Sequence, residues 1–134
     1  MIHYNIYFRP YDWEVEVYVI LKDCYINKIM DSLKECPQTE IQQAFVNLTT
    51  RIDSGFIRTF NHRSIIVINK PTTLEEFVNI YNHEKNHLEM HICEEYNIDP
   101  HSEEAANLSG KLAKCLFSSL LSELLIYYTD IYEK

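Results

Sequence analysis

The order of hydrophobic patterns along this chain predicts an α+β fold. Two observations carry that prediction. Residues 2–8 and 13–21, and again 55–60 and 64–69, have the Tyr, Val, Ile and Phe content and the spacing of strands. Residues 24–35 and 39–51, and most of the chain beyond Thr73, carry apolar residues at helical intervals. At 134 residues with no repeat, linker or low-complexity tract, one domain spanning 1–134 is expected.

Each element has a local reason. Arg9-Pro10-Tyr11-Asp12 supplies turn chemistry between the first two strands. Ile26, Ile29, Met30 and Leu33 line one helix face, and Ile41, Ala44, Phe45 and Leu48 line the next. Cys36-Pro37-Gln38-Thr39 separates them, with Thr39 as the expected N-cap. A second hairpin is expected around Asn61-His62-Arg63, and Ile65 to Ile68 is the most apolar strand of the chain. The sequence therefore predicts an N-terminal strand pair and a small antiparallel sheet.

Lys70-Pro71-Thr72 ends that strand, and Thr73-Leu74-Glu75-Glu76 has the capping-box pattern of a helix start. Leu74, Phe77, Val78, Tyr81, Leu88 and Ile92 give this helix its apolar face, and Asn97-Ile98-Asp99-Pro100 closes it. Ser102 then caps a last helix that opens with Glu103 and Glu104 and runs to about Tyr128, with Gly110 as its weak point.

Composition narrows the function classes. A hydrophobic share of 46% and a charged share of 24% are globular values. The formal net charge of −8, with 12 scattered Lys and Arg, argues against nucleic-acid binding. Cys24, Cys36, Cys93 and Cys115 form no C-x-x-C pair, and no signal segment points to an oxidising compartment. The Leu116–Tyr128 stretch is interrupted by Ser118, Ser119, Ser122 and Glu123, too short and polar for a membrane span. A cytoplasmic protein is the expectation. The 10 tyrosines read mainly as packing residues, with a docking surface as the lesser reading.

The stretch His83-Glu84-Lys85-Asn86-His87 is H-E-x-x-H inside a predicted helix. Residues four apart share a helix face, so His83 and His87 can hold one metal ion. Glu84 lies on the flank of that face, where a carboxylate can take a proton from a metal-bound water. That is the zinc-hydrolase pattern. A catalytic zinc takes three protein ligands, and Glu103 is the expected third, with Glu104 as the alternative. Asn107, one turn beyond Glu103, is placed to orient His83 or His87. His91 lies a turn too far along the helix, and Cys93 lacks the preceding glycine of the longer H-E-x-x-H-x-x-G-x-x-H pattern, where Met90 stands instead. Tyr127, Tyr128 and Tyr132 are too ordinary in so tyrosine-rich a chain to be assigned a role.

On these residues, 55–112 resembles the zincin metallopeptidases of the Glu-ligand type. The matching pieces are Ser64–Asn69, His83-Glu84-Lys85-Asn86-His87 and Glu103-Glu104-Ala105-Ala106-Asn107. Tyr11-Asp12-Trp13, Gly55-Phe56, Arg63 to Ile68, and His91-Ile92-Cys93 before Ile98-Asp99-Pro100 also resemble small zincin-like proteins of Bacteroidetes phages and mobile elements. Asn107 departs from the aromatic or acidic residue that many zincins carry there.

The resemblance implies a zincin-like fold, in which an edge strand pairs with an extended peptide ahead of the two site helices. Ile65, Ile66 and Val67 are then the expected substrate-binding residues. Zinc on His83, His87 and Glu103 is expected to acidify a water, with Glu84 as general base for peptide hydrolysis. The rival expectation is a zincin-shaped binding or structural protein without turnover. A site filled by the chain's own Phe117 or Tyr127 would favour that rival.

Overall fold

The computed structural model describes residues 2–20, 26–50 and 55–133, without the side chains of 26–27, 49–50, 119 and 121–133. The described elements are strands β1 (Ile2–Phe8), β2 (Trp13–Ile20), β3 (Gly55–Phe60) and β4 (Arg63–Asn69), and helices α1 (Ile26–Ser32), α2 (Gln38–Thr50), α3 (Leu74–Glu95) and α4 (Glu103–Glu133). They form two compact units, Met1–Pro71 and Thr72–Lys134. The first holds the sheet with α1 and α2, the second holds α3 and α4.

The α+β class is present, but the strands join into one sheet of order β1-β2-β4-β3. Both expected hairpins are antiparallel, and they are joined by a parallel pairing of β2 with β4, from Glu14 beside Arg63 to Ile20 beside Asn69. The sheet is therefore mixed where an antiparallel one was expected. This placement overturns the peptide-binding edge expected at Ser64–Asn69. Strand β4 lies between β2 and β3, and Ile65, Ile66 and Val67 are 3%, 1% and 0% exposed. An unbroken apolar run is what a strand buried on both faces requires.

One face of the sheet is covered by α1 and α2. Tyr18, Ile20, Phe56, Ile65 and Val67 meet Ile29, Leu33, Ala44 and Leu48 there in one core. On the other face Trp13, Val15, Val17, Val19, Ile66 and Ile68 are buried. The Trp13 indole N–H donates to the Ser64 hydroxyl at 2.9 Å, and Ser64 shares a second hydrogen bond of 2.8 Å with Thr59. Trp13 also stacks on His62, ring centroids 4.9 Å apart.

The β3–β4 turn is tighter than the sequence indicated. Phe60 pairs with Arg63, so the loop is Asn61-His62 alone. Both residues have positive φ, 48° and 59°, the condition for a type I′ turn that matches the twist of the strands. Helix α2 likewise starts one residue before the expected cap. The Pro37 carbonyl already accepts from the Glu40 and Ile41 amides, which places Thr39 inside the first turn.

In the second unit the expected caps form. Thr73 accepts the Glu76 amide at 3.0 Å, while the Glu76 carboxylate accepts from the Thr72 hydroxyl. At the far end of α3, Asn97 takes the left-handed conformation (φ 54°). The Ile98 amide then reaches back to the Cys93 carbonyl and the Asn97 amide to that of Glu94, the Schellman closure. Ser102 caps α4 by accepting the Ala105 amide at 3.1 Å.

Helix α4 passes Gly110 without a break and extends beyond Tyr128. A β-carbon at Gly110 would meet nothing within 4 Å. Gly110→Ala is thus expected to stabilise the fold by about 1 kcal/mol through reduced backbone freedom of the unfolded chain. Urea denaturation checks this through an upward shift of the midpoint at constant m-value.

Candidate metal centre

Helix periodicity sets the layout of α3. At about 100° per residue, Phe77, Tyr81, Glu84, Leu88 and Ile92 fall on one stripe, all buried. His83 and His87 lie along one border of that stripe, His83 exposed and His87 half-buried. Glu84 sits just inside the border, 5% exposed.

The two imidazoles converge. His83 Nε2 and His87 Nε2 are 3.2 Å apart, with ring planes at 79°. Without a metal, one ring nitrogen donates a proton and the other accepts it. The same spacing suits zinc: two ligands at about 2.0–2.1 Å in a tetrahedron are separated by about 3.3–3.4 Å. The donor pair therefore fits a borderline-soft divalent ion that favours imidazole.

Glu103, Glu104 and Asn107, in the first turns of α4, are all exposed. Among the described residues no group of three or more His, Cys, Asp and Glu side chains is positioned to hold a metal ion. His91 is half-buried and Cys93 is a buried free thiol, which burial and the nearby Glu89 push up in pKa. Phe117 packs against Tyr81 with ring centroids 4.6 Å apart. The side chains of Tyr127, Tyr128 and Tyr132 lie outside the described residues.

Two polar networks escaped the sequence reading. Within H-E-x-x-H itself, Lys85 is buried, 7% exposed, and its ammonium forms an ion pair with Glu89, while Glu89 accepts from the Ser109 hydroxyl at 2.8 Å. This ties α3 to α4. Its only sequence signal was the i, i+4 spacing of Lys85 and Glu89.

The other network lies on the sheet. Glu16 accepts from Arg63 at 2.7 Å, from the Tyr18 hydroxyl at 2.7 Å and from His3 at 3.0 Å. The His3 ring stacks on Tyr18 at 4.1 Å, and Tyr18 shares a further hydrogen bond with Ser32. Alternation along β2 places Glu16 and Tyr18 on one face, but their partners are far away in sequence.

These contacts make stability depend on pH. Burial pushes the Glu16 carboxyl up, yet the hydrogen bonds from Tyr18, Arg63 and His3 outweigh it and hold it below the usual range. Its contribution is present above the unfolded carboxyl pKa and is lost as pH falls through the folded value. Tyr18 moves the opposite way: burial, reinforced by Glu16, lifts its phenol to about 12. That contribution is complete below the free phenol's pKa of about 10 and is lost as pH rises towards 12. Melting temperatures of wild type and Tyr18→Phe are expected to converge across that alkaline window. A constant difference would contradict the assignment.

Compared with protein-family profiles, curated proteins and solved structures, the chain has no match in any of the three. Among the described residues, no helix is long and apolar enough to cross a membrane.

Proposed function

We propose that the protein is a zinc-dependent metallopeptidase whose site is built on His83 and His87, with Glu84 as general base. The observation that carries this reading is the 3.2 Å approach of the two Nε2 atoms on adjacent turns of α3. His83 and His87 hold the metal through those nitrogens, and Glu103, with Glu104 as the alternative, is the acid proposed for the third position. Asn107 is the residue proposed to orient one of the imidazoles.

Bound zinc supplies an acidified water and a Lewis acid for the scissile carbonyl. The Glu84 carboxylate accepts the water's proton and returns it to the leaving amine. The substrate is an extended peptide or protein segment.

A second reading is a non-catalytic, zincin-like binding or structural protein of a phage or mobile element. The observation favouring it is that Glu103, the acid proposed for the third position, is exposed. Incubating zinc-loaded protein with a mixed peptide library separates the two. New N-termini that vanish with a zinc chelator and return with added zinc support the peptidase. An uncut library with zinc stably bound supports the binding protein.

A further inference from the structure

The sheet has two outer strands, and they are guarded differently. Strand β3 has six residues, begins at Gly55 and carries Arg58, whose guanidinium lies over Phe56, 5.1 Å from the ring centroid. A short edge bearing a cation discourages pairing with another chain. Strand β1 has seven residues, Ile2-His3-Tyr4-Asn5-Ile6-Tyr7-Phe8, with no Lys, Arg, Asp, Glu, Pro or Gly. Its own side chains thus include neither the charge nor the proline that keeps many outer strands from templating a partner.

Its sequence is also complementary to itself. Antiparallel pairing of two β1 strands about a two-fold axis at Asn5 sets Ile2 against Phe8, His3 against Tyr7 and Tyr4 against Ile6. Aromatic and β-branched residues facing one another are the favourable cross-strand combinations. The register preserves the sheet's faces: His3, Asn5 and Tyr7 stay with Tyr18, Glu16 and Glu14, their partners on β2. A slip of one residue would turn every side chain over.

Exposure fits the same arrangement. Asn5 is exposed and Tyr7 is 56% exposed, with its hydroxyl turned to Asp12 at 2.5 Å. The chain's charge of −8 opposes association, but this strand contributes none of it. An uncharged edge selects a partner that is equally uncharged and matched in length. A second β1 has both properties.

We propose that β1 pairs with β1 of a second copy, centred on Asn5, to form a symmetric dimer with one continuous eight-stranded sheet. The contact is essentially one strand wide, below the size of tight interfaces, so a weak, concentration-dependent dimer is expected. Dimerisation is independent of the metal site.

Sedimentation equilibrium on untagged full-length chain, over micromolar to several hundred micromolar concentrations, tests it. Wild type is expected to show a monomer–dimer equilibrium. Asn5→Lys, which sets two ammonium groups opposite each other at an exposed position, should weaken it at least tenfold with an unchanged melting temperature. The register is tested by mild oxidation: on the axis, Asn5→Cys places its thiols within bridging distance and should cross-link well above the wild-type background, whereas Tyr7→Cys should not. A wild type monomeric throughout, or a dimer indifferent to Asn5→Lys and not cross-linked through Asn5→Cys, would overturn the proposal.

Discussion

Glu84→Gln is expected to lower peptide hydrolysis by about 10²–10⁴-fold, the usual contribution of a positioned general base, while zinc content stays that of wild type. The substitution keeps the size and planar shape of the side chain while removing its charge and its ability to take a proton. The comparison decides between two roles for a buried carboxylate. Glu84 is 5% exposed among Tyr81, Leu88 and other buried α3 side chains, so a purely structural role would show as lost stability with hydrolysis of the folded fraction unchanged. Activity measured per folded, zinc-loaded molecule separates these cases. Full hydrolysis by Glu84→Gln with zinc bound would remove Glu84 from the mechanism.

Trp13→Ala is expected to be the most destabilising single change in the sheet, costing about 3–5 kcal/mol and roughly 10–20 °C in melting temperature. Trp13 is 2% exposed and covers the start of β2, where Glu14 also donates its amide to the His62 carbonyl at 2.9 Å. Truncation leaves a cavity, withdraws the indole donor from buried Ser64 and removes the stacking partner of His62. Trp13→Phe provides the graded control: Ser64 keeps its Thr59 contact and most of the volume survives, so about 1–2 kcal/mol is expected. Thermal denaturation of the three proteins measures the series. A loss below about 1 kcal/mol for Trp13→Ala would contradict the packing described for this end of the sheet.

What the sequence disclosed follows from the range over which each signal acts. Strand alternation, the Thr73 and Ser102 caps and the Asn97 closure depend on residues within a turn or two of one another. All of them formed as expected. The His83–His87 approach is of the same kind, since helix geometry alone brings i and i+4 together. The order of the strands is not local. Resemblance assigned Ser64–Asn69 to an edge, yet four consecutive apolar residues from Ile65 to Ile68 already indicated burial on both faces. Nor could local pattern place Glu103, because the first turn of α4 meets α3 only through tertiary packing. The Glu16 cluster joins positions 3, 16, 18, 32 and 63, and no window of sequence contains it.

The proposed peptidase stands on zinc held by α3 through His83 and His87. Elemental analysis of untagged protein, wild type beside His87→Ala, tests it most directly. About one zinc per chain is expected for wild type, with affinity in the variant reduced by more than the roughly 10–100-fold that an orienting partner is worth. Wild-type protein that takes up no zinc after incubation with the metal, or His87→Ala that binds it as tightly, would contradict the account.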